Sequence, residues 1–459
     1  MKTLFKVLPV FSLKKTLFKK KKLYLATISS LTLIFGSSAH ALTLEQSVSK
    51  AMLTDPNLKQ TFSRFKAILA DKRYSEGDYY PTLTLSAGTG LEKYNDYNGR
   101  SLDDDARLNQ ASLTLRQSIF SGLSTYYDVA RLDHEAEAEI FKLYSEAELK
   151  SMDVIEVYLQ LIAAEKILKL SQRNQEDHRK IYEDVKVKVV NQLAPQFDLS
   201  QVEARLANAR ASTIAAQNRV ADLNTEYSII VGEFANDLID PKPNKEFIPK
   251  SKLEALEIAS TNNFSILSAQ EDIKAMKKEH KAASAKHYPE FYIEANANYD
   301  DVSDATKTLY PNQGRTDEFQ VMLKMELELF GGGKTTARGD ASGWRKQEAV
   351  DLLESVKRQI KQSVTQSWSS YELLEQQVEY LKENVGHSAS AAKGYEEQFK
   401  VGRRELLDLL IAKTDLFQAR KSYIETNTDY QITTYRLKYY TGGLLKSLYI
   451  DFPSNWKNE

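Results

Sequence analysis

The chain is written twice. Phe120-Ser121-Gly122 recurs as Phe330-Gly331-Gly332, Tyr158 as Trp368, Asp198 as Asp408 and Gly232 as Gly442, all at one ungapped offset of 210 residues. Upstream the offset is 208, pairing Ala51 with Ala259, Asp55 with Asn263 and Tyr80-Pro81 with Tyr288-Pro289. A two-residue change in length therefore falls between Pro81 and Phe120. Copies that hold register from Phe120 to Gly232 while sharing few identities are constrained by shape, as repeat architectures are, and not by a catalytic site.

Residues 1–41 read as a secretory signal. Lys14, Lys15 and Lys19 to Lys22 precede the apolar run Leu23 to Gly36, and Ala39-His40-Ala41 supplies the small-x-small cleavage pattern. The run of 14 residues is short of the roughly 20 that a membrane-spanning helix needs. Removing the segment takes away eight Lys and no acid, so 62 basic and 63 acidic residues become 54 and 63, a formal charge of −9. That balance argues against a nucleic-acid partner, which is held through excess Lys and Arg. The chain has no cysteine, which excludes disulfides, thiolate zinc sites and a lipidated N-terminal Cys. Stability must come from packing, and the sparse Gly and Pro imply long uninterrupted elements.

Five segments follow: the signal (1–41), a first repeat (42–232), a Pro-containing linker (233–250), a second repeat (251–442) and a tail (443–459). Each repeat reads as helix, two strands, long helix, turn, long helix. Asp55-Pro56 suits an N-cap followed by Pro in the first helical position, opening a helix that runs to about Gly77. After Pro81 the pattern alternates, with Leu83, Leu85, Ala87 and Leu91 opposed to Thr82, Thr84, Ser86 and Gly90. The second copy has Phe291, Ile293, Ala295, Ala297 and Tyr299 opposed to Tyr292, Glu294, Asn296 and Asn298. The clearest strand is predicted at Phe319 to Phe330, with Phe319, Val321, Leu323, Met325, Leu327 and Leu329 on one face; Leu113, Leu115 and Ile119 mark its weaker counterpart. Strands of about ten residues, apolar on one side and charged on the other, fit a barrel with lipid outside and water inside. A half-buried strand in a soluble sandwich has the same pattern. The segments Glu92 to Leu108 and Asp300 to Asp317, which carry Asp103, Asp104, Asp105, Asp300, Asp301 and Asp304, are expected to be water-exposed loops. Tyr79, Tyr80, Tyr94, Tyr288, Tyr299 and Tyr310 are candidates for an interfacial aromatic belt.

Past the strand-to-helix turns at Gly122 and at Gly331-Gly332 the period becomes helical. Leu199, Val202, Leu206, Ala209, Thr213, Ala216, Val220, Leu223, Tyr227 and Ile230 step alternately by three and four, and so do their mates from Leu409 to Tyr440, as in a coiled-coil seam. The preceding helix, from about Leu123 to Val189, would be about 100 Å long, which no compact domain accommodates.

Catalytic and cofactor motifs are missing. Leu329 to Thr335 mimics a phosphate loop, but Glu328 stands where its first Gly is required. His40, His134, His178, His280, His287 and His387 are scattered, with no helical His pair spaced for a metal. No Gly-x-Ser-x-Gly elbow occurs. No enzyme, cofactor or metal is expected.

The signal, the doubled strand-pair and helix-pair plan and the amphipathic strands together resemble the TolC family of outer-membrane channel-tunnels, over Leu42 to about Leu444. The resemblance implies a mainly α protein with membrane strands. Three protomers would each give four strands to a twelve-stranded barrel, and their antiparallel coiled-coil helices would form a periplasmic α-barrel. It also implies partners: two further copies, a periplasmic adaptor, an inner-membrane ABC or proton-driven transporter and outer-membrane lipid. Phe399-Lys400-Val401-Gly402-Arg403-Arg404-Glu405-Leu406-Leu407-Asp408 is similar to the family's second-repeat tip turn. By that similarity Asp408 matches an acidic ring at the constriction, Arg404 a gating Arg, and Phe399 the place of a gating Tyr whose hydroxyl it lacks. Ile411 stands where a second ring Asp is often found. Asp198, beside the Pro195 turn of the first tip, is expected to cap or pair instead of lining the pore. The function implied is an exit duct in a tripartite export system, with type I secretion of proteins such as adhesins or toxins favoured by the missing lipidated Cys. Multidrug efflux is the alternative, and a non-conducting coiled-coil surface stalk is the rival from another class.

Overall fold

The structure is a computed structural model and describes residues 42–97, 100–241, 245–303 and 314–456. The signal, Asp304 and Tyr310 lie outside these residues. The first repeat contains α1 (Leu44–Thr54), α2 (Pro56–Glu76), β1 (Thr82–Tyr97), β2 (Arg100–Ser121), α3 (Ser124–Val190) and α4 (Gln196–Val231). The second contains α5 (Lys252–Asn262), α6 (Phe264–Ala285), β3 (Glu290–Ser303), β4 (Gly314–Glu326), α7 (Lys334–Lys400) and α8 (Leu406–Tyr440), followed by the short α9 (Leu444–Ser447). The offsets read from the sequence recur in these boundaries: α1, α2 and β1 start 208 residues before α5, α6 and β3, and α3 and α7, of 67 residues each, start 210 apart.

Local chemistry sets the helix starts. The Asp55 carboxylate accepts the N–H groups of Asn57 and Leu58 at 2.8 and 3.0 Å, and its mate Asn263 accepts that of Ser265 at 3.0 Å, so the first two helices of both copies break at the same capped corner. Among the described residues no helix is long and apolar enough to cross a membrane.

The four strands form one antiparallel sheet in the order β1-β2-β3-β4, with β1 and β4 at its edges. Leu83 faces Leu115, and their mates Phe291 and Met325 face each other, so both hairpins keep one register. That register persists out to Tyr94 opposite Asp104 and Val302 opposite Gly314, which confines the two-residue length change to the hairpin tips. It also puts Leu83, Leu85, Leu113, Ile293, Val321 and Leu323 on one face of the sheet, all of them well exposed. The opposite face carries charge. Arg116 pairs with Glu290 at 3.2 Å and lies 3.9 Å above the Tyr292 ring, and Lys324 pairs with Glu294 at 2.5 Å.

Two sequence expectations need correction. The strand expected to end at Phe330 ends at Glu326 and starts at Gly314, leaving Leu327 and Leu329 in the connection to α7. The segments expected to be loops are largely strand: β1 and β2 continue to Tyr97 and from Arg100, and β3 reaches Ser303. Their polar residues therefore extend strands of up to 22 residues past the thickness a membrane strand of about 9–11 residues requires.

Below the sheet α3 pairs with α4 and α7 with α8 in antiparallel fashion. Val202, Leu206, Ala209, Thr213, Leu223 and Tyr227 of the expected seam are buried in α4. In α8 the burial spreads beyond the seam to Ile432, Thr434, Tyr435 and Lys438, because α8 also packs on α3 and α9. Tyr158 is fully buried in the largest core, and its mate Trp368 sits in a smaller one with Ala255, Ala259, Val364 and Leu437. The linker and tail wrap the first-repeat core. The Tyr158 hydroxyl contacts Leu42 and Ile239 backbone oxygens at 2.9 and 2.7 Å, and Tyr144 stacks on Phe452 with centroids 4.1 Å apart.

At the sheet-to-helix turns the left-handed pair is Gly122-Leu123 in one copy and Gly332-Gly333 in the other, with φ of 65°, 68°, 66° and 79°. Gly331 is not left-handed; a Cβ there would lie 2.6 Å from the Glu328 carboxyl. A Cβ on Gly122 would come 2.3 Å from the Ala285 carbonyl oxygen. Gly122→Ala is therefore expected to impair folding and membrane assembly. Leu123→Gly, which reproduces the second copy's turn, should stabilise the chain by about 1 kcal/mol by removing left-handed strain. Assembly yield and thermal melting in detergent check both.

Candidate functional site: the helical tips and the sheet

The two helix pairs turn at opposite copies of one motif. Gln192 and its mate Gly402 both take left-handed φ, 60° and 72°. Leu193 N–H donates to the Lys188 carbonyl at 2.7 Å, and Arg403 N–H to the Gln398 carbonyl at 2.9 Å. The backbone closes alike in both tips, so their differences lie in side chains.

Only the second tip carries a polar latch. Arg404 Nε donates to Gln398 Oε1 at 3.0 Å, a terminal nitrogen lies 3.4 Å from Asp408 Oδ2, and the guanidinium stands 5.2 Å from the Tyr395 ring centre. The mate of Arg404 is Ala194, which can do none of this. Both members of the Arg404–Asp408 pair are more than a third exposed, so the pair itself contributes about 0–1 kcal/mol. A firmer tie joins α7 to α8, where Glu396 contacts Lys413 at 2.7 Å and Lys400 at 2.9 Å. The Lys413 and Lys400 hydrogen bonds hold the Glu396 carboxyl down at about 2.

Phe399 lies between the copies. It packs against Ile181, Val185, Val202, Leu406, Leu409 and Leu410, and the Lys188 ammonium stands 4.5 Å from its ring. The aromatic ring beside Arg404 is thus Tyr395, one turn earlier, a residue the motif comparison did not single out. Pro195 precedes α4 as its N-cap, and Asp198 occupies the first helical turn, its N–H donating to the Pro195 carbonyl at 3.2 Å. Among the described residues the Asp198 carboxylate has no ion pair; it faces the positive end of the α4 dipole.

A small groove of about 170 Å³ is lined by Tyr395, Asp408, Ile411, Ala412 and Asp415. Asp415 lies two turns past Asp408 on the same helix face, with Ile411 between them, and among the described residues it has no ion pair. Sequence reasoning looked one turn beyond Asp408 and missed it; the heptad step was the available signal. A larger groove of about 670 Å³ separates α3 and α4 from α8 and is lined by Arg219, Phe417, Lys421, Glu425 and Asp429.

An amphipathic four-stranded sheet with two bare edges, set on antiparallel helices of 67 and about 35 residues, is the architecture to compare with known proteins. A sequence model of the family described as "Outer membrane efflux protein" matches residues 255–443. The outer membrane efflux protein BepC of Brucella suis is 22% identical over 93% of this chain and 91% of its own length. The outer membrane protein TolC of Escherichia coli is 22% identical over 89% of this chain and 84% of its own. The crystal structure of the outer membrane protein VceC of Vibrio cholerae superposes with a TM-score of 0.75 at 16% identity, covering 87% of this chain and 96% of that one. Over nearly its whole length the chain resembles the TolC family. It shares the fold of these outer-membrane proteins, helices and four-stranded sheet together. The Gly-rich stretch before α7 is accordingly a strand-to-helix turn: Glu328 accepts from the Thr335 hydroxyl at 3.4 Å where a nucleotide loop would need a bare backbone.

The Glu396 tie gives a pH test with a defined sign. A carboxyl depressed from 4.5 to about 2 stabilises the tip fully above 4.5, and that contribution is lost as pH falls through about 2. Glu396→Gln should speed hydrogen exchange of residues 395–413 relative to wild type at pH 5, with the difference shrinking as pH approaches 2.

Proposed function

We propose that three copies of this chain close a twelve-stranded barrel above a continuous helical tunnel. The assembly serves as the outer-membrane exit duct for an inner-membrane transporter reached through a periplasmic adaptor. The observation that carries this reading is the pair of open edges, β1 and β4, on a sheet whose outward residues are apolar. In hydrocarbon each unpaired backbone group costs several kcal/mol, so four strands alone are not a viable membrane structure and edge-to-edge closure is the remedy. The strongly exposed Trp344, Leu373 and Tyr380 of α7 support further burial by a neighbouring copy. A non-conducting stalk would need no such strands.

The second-repeat tip is the gate in this reading. Arg404 holds Asp408 and Gln398 within one tip, the Glu396–Lys413 contact holds α7 to α8, and Phe399 ties both to the first repeat. An adaptor that engages the tips opens them by competing for these exposed polar groups, which are weak enough to exchange. Asp408 and Asp415 form successive acidic levels, where converging carboxylates concentrate cations.

The names of the family and of BepC support efflux, which we take to be of small molecules. Protein secretion is the second reading, favoured by the absence of any cysteine for a lipid anchor. Deleting the gene and complementing it separates them: dye and antibiotic sensitivity restored by the chain supports efflux, and restored release of a large secreted protein supports secretion.

Purified protein in a planar bilayer should give discrete currents reduced by divalent cations. Asp408→Ala should weaken the block several-fold, and adding Asp415→Ala should weaken it further. A trimer that stays silent even with Arg404→Ala refutes the duct. Currents whose block ignores both Asp substitutions refute only the acidic levels.

A further inference from the structure

The seam between α3 and α6 contains a donor set that none of the channel machinery uses. His134 and Glu137, three residues apart, lie on one face of α3, and Glu271 of α6 reaches them from the second repeat. The ligand atoms of all three lie within 4.8 Å of one another. His134 Nδ1 is 2.9 Å from Glu271 Oε2, Glu271 is only 7% exposed, and Glu137 opens to solvent, which leaves an approach path. We propose that His134, Glu137 and Glu271 form a binding site for a divalent transition-metal ion of the zinc type, which staples α3 of one repeat to α6 of the other beneath the membrane sheet.

The chemistry favours zinc over magnesium or calcium. One imidazole and two carboxylates on a tetrahedral centre match zinc, with metal–ligand distances of about 2.0–2.2 Å and a water completing the shell. Magnesium and calcium prefer all-oxygen shells of six or more. Closing the three donors around one ion requires side-chain movements of about an ångström, within the reach of a solvent-facing Glu137.

The same seam holds a further acidic group that lacks a hydrogen bond. Glu139 Oε1 is buried with no hydrogen-bond partner among the described residues, its nearest cations being Arg64 and Lys142 at 3.7 Å. Among the described residues the cation paired with the site is Lys274, 2.5 Å from Glu271 Oε1 and half exposed. It occupies the place of the ion when the ion is absent and can swing into water when it binds.

The site departs from the repeat. The mates of His134, Glu137 and Glu271 are Trp344, Gln347 and Ser63, of which none supplies an anionic or imidazole ligand. Shape conservation between the copies therefore does not account for the three donors meeting.

The test uses the folded, detergent-purified protein with zinc chloride. Dialysis followed by elemental analysis should find one zinc per chain, and zinc should raise the melting temperature by several degrees, reversibly with EDTA. His134→Ala should lower the affinity at least tenfold. Glu137→Gln should do the same while leaving melting in EDTA unchanged, which separates ligation from folding. Lys274→Met should raise the affinity by removing the competing ammonium. No retained zinc, affinity indifferent to both His134→Ala and Glu137→Gln, or equal competition by magnesium would overturn the proposal.

Discussion

A backbone in lipid must find all its hydrogen-bond partners in protein, and this chain leaves two strand edges without them. The rest of the molecule is arranged around that debt. The two hairpins share one register, so their apolar residues fall on the same face and their charged residues on the other. A one-residue slip in either hairpin would send its apolar set to the wrong side. The offset of 208 before the strands and 210 after them is tolerated because the length difference is placed at the tips, past the last shared pairs.

The long helices inherit their position from the turns beneath the sheet. Gly122 fits against the Ala285 carbonyl with no room for a side chain, which fixes how close α3 starts to the end of α6. From there 67 residues of helix carry the two tips about 100 Å away in common register. Phe399 and Lys188 then rejoin the copies at the far end. Small groups act as spacers at one end, and an aromatic–cation contact acts as a tie at the other.

Much of this was legible in the sequence. The repeat, the capped corner at Asp55, the long helices and the amphipathic strands follow from periodicity and punctuation, which are local signals. Strand ends were not legible: polar residues from Glu92 to Leu108 look like loop until hairpin pairing extends them, and Leu327 and Leu329 look like strand although β4 has ended. The tip was half legible. Gly402 and Asp408 stand in a recognisable motif, but Tyr395 and Asp415 owe their place beside Arg404 and Asp408 to helix faces that a linear motif does not show. The meeting of His134 with Glu271 was invisible, because it depends on α3 crossing α6 from the other copy.

The heptad positions beyond the tips show how far the duplication constrains charge. Asp198 and Asp408 agree in sign, but two turns along, the mate of Asp415 is Arg205, and four turns further the mate of Asp429 is Arg219, which lines the same groove. The copies therefore share a backbone and a seam while their solvent-facing positions have drifted to opposite signs. Within one chain an acid of the second repeat can thus stand across a groove from a base of the first, a complementarity that two identical copies could not supply.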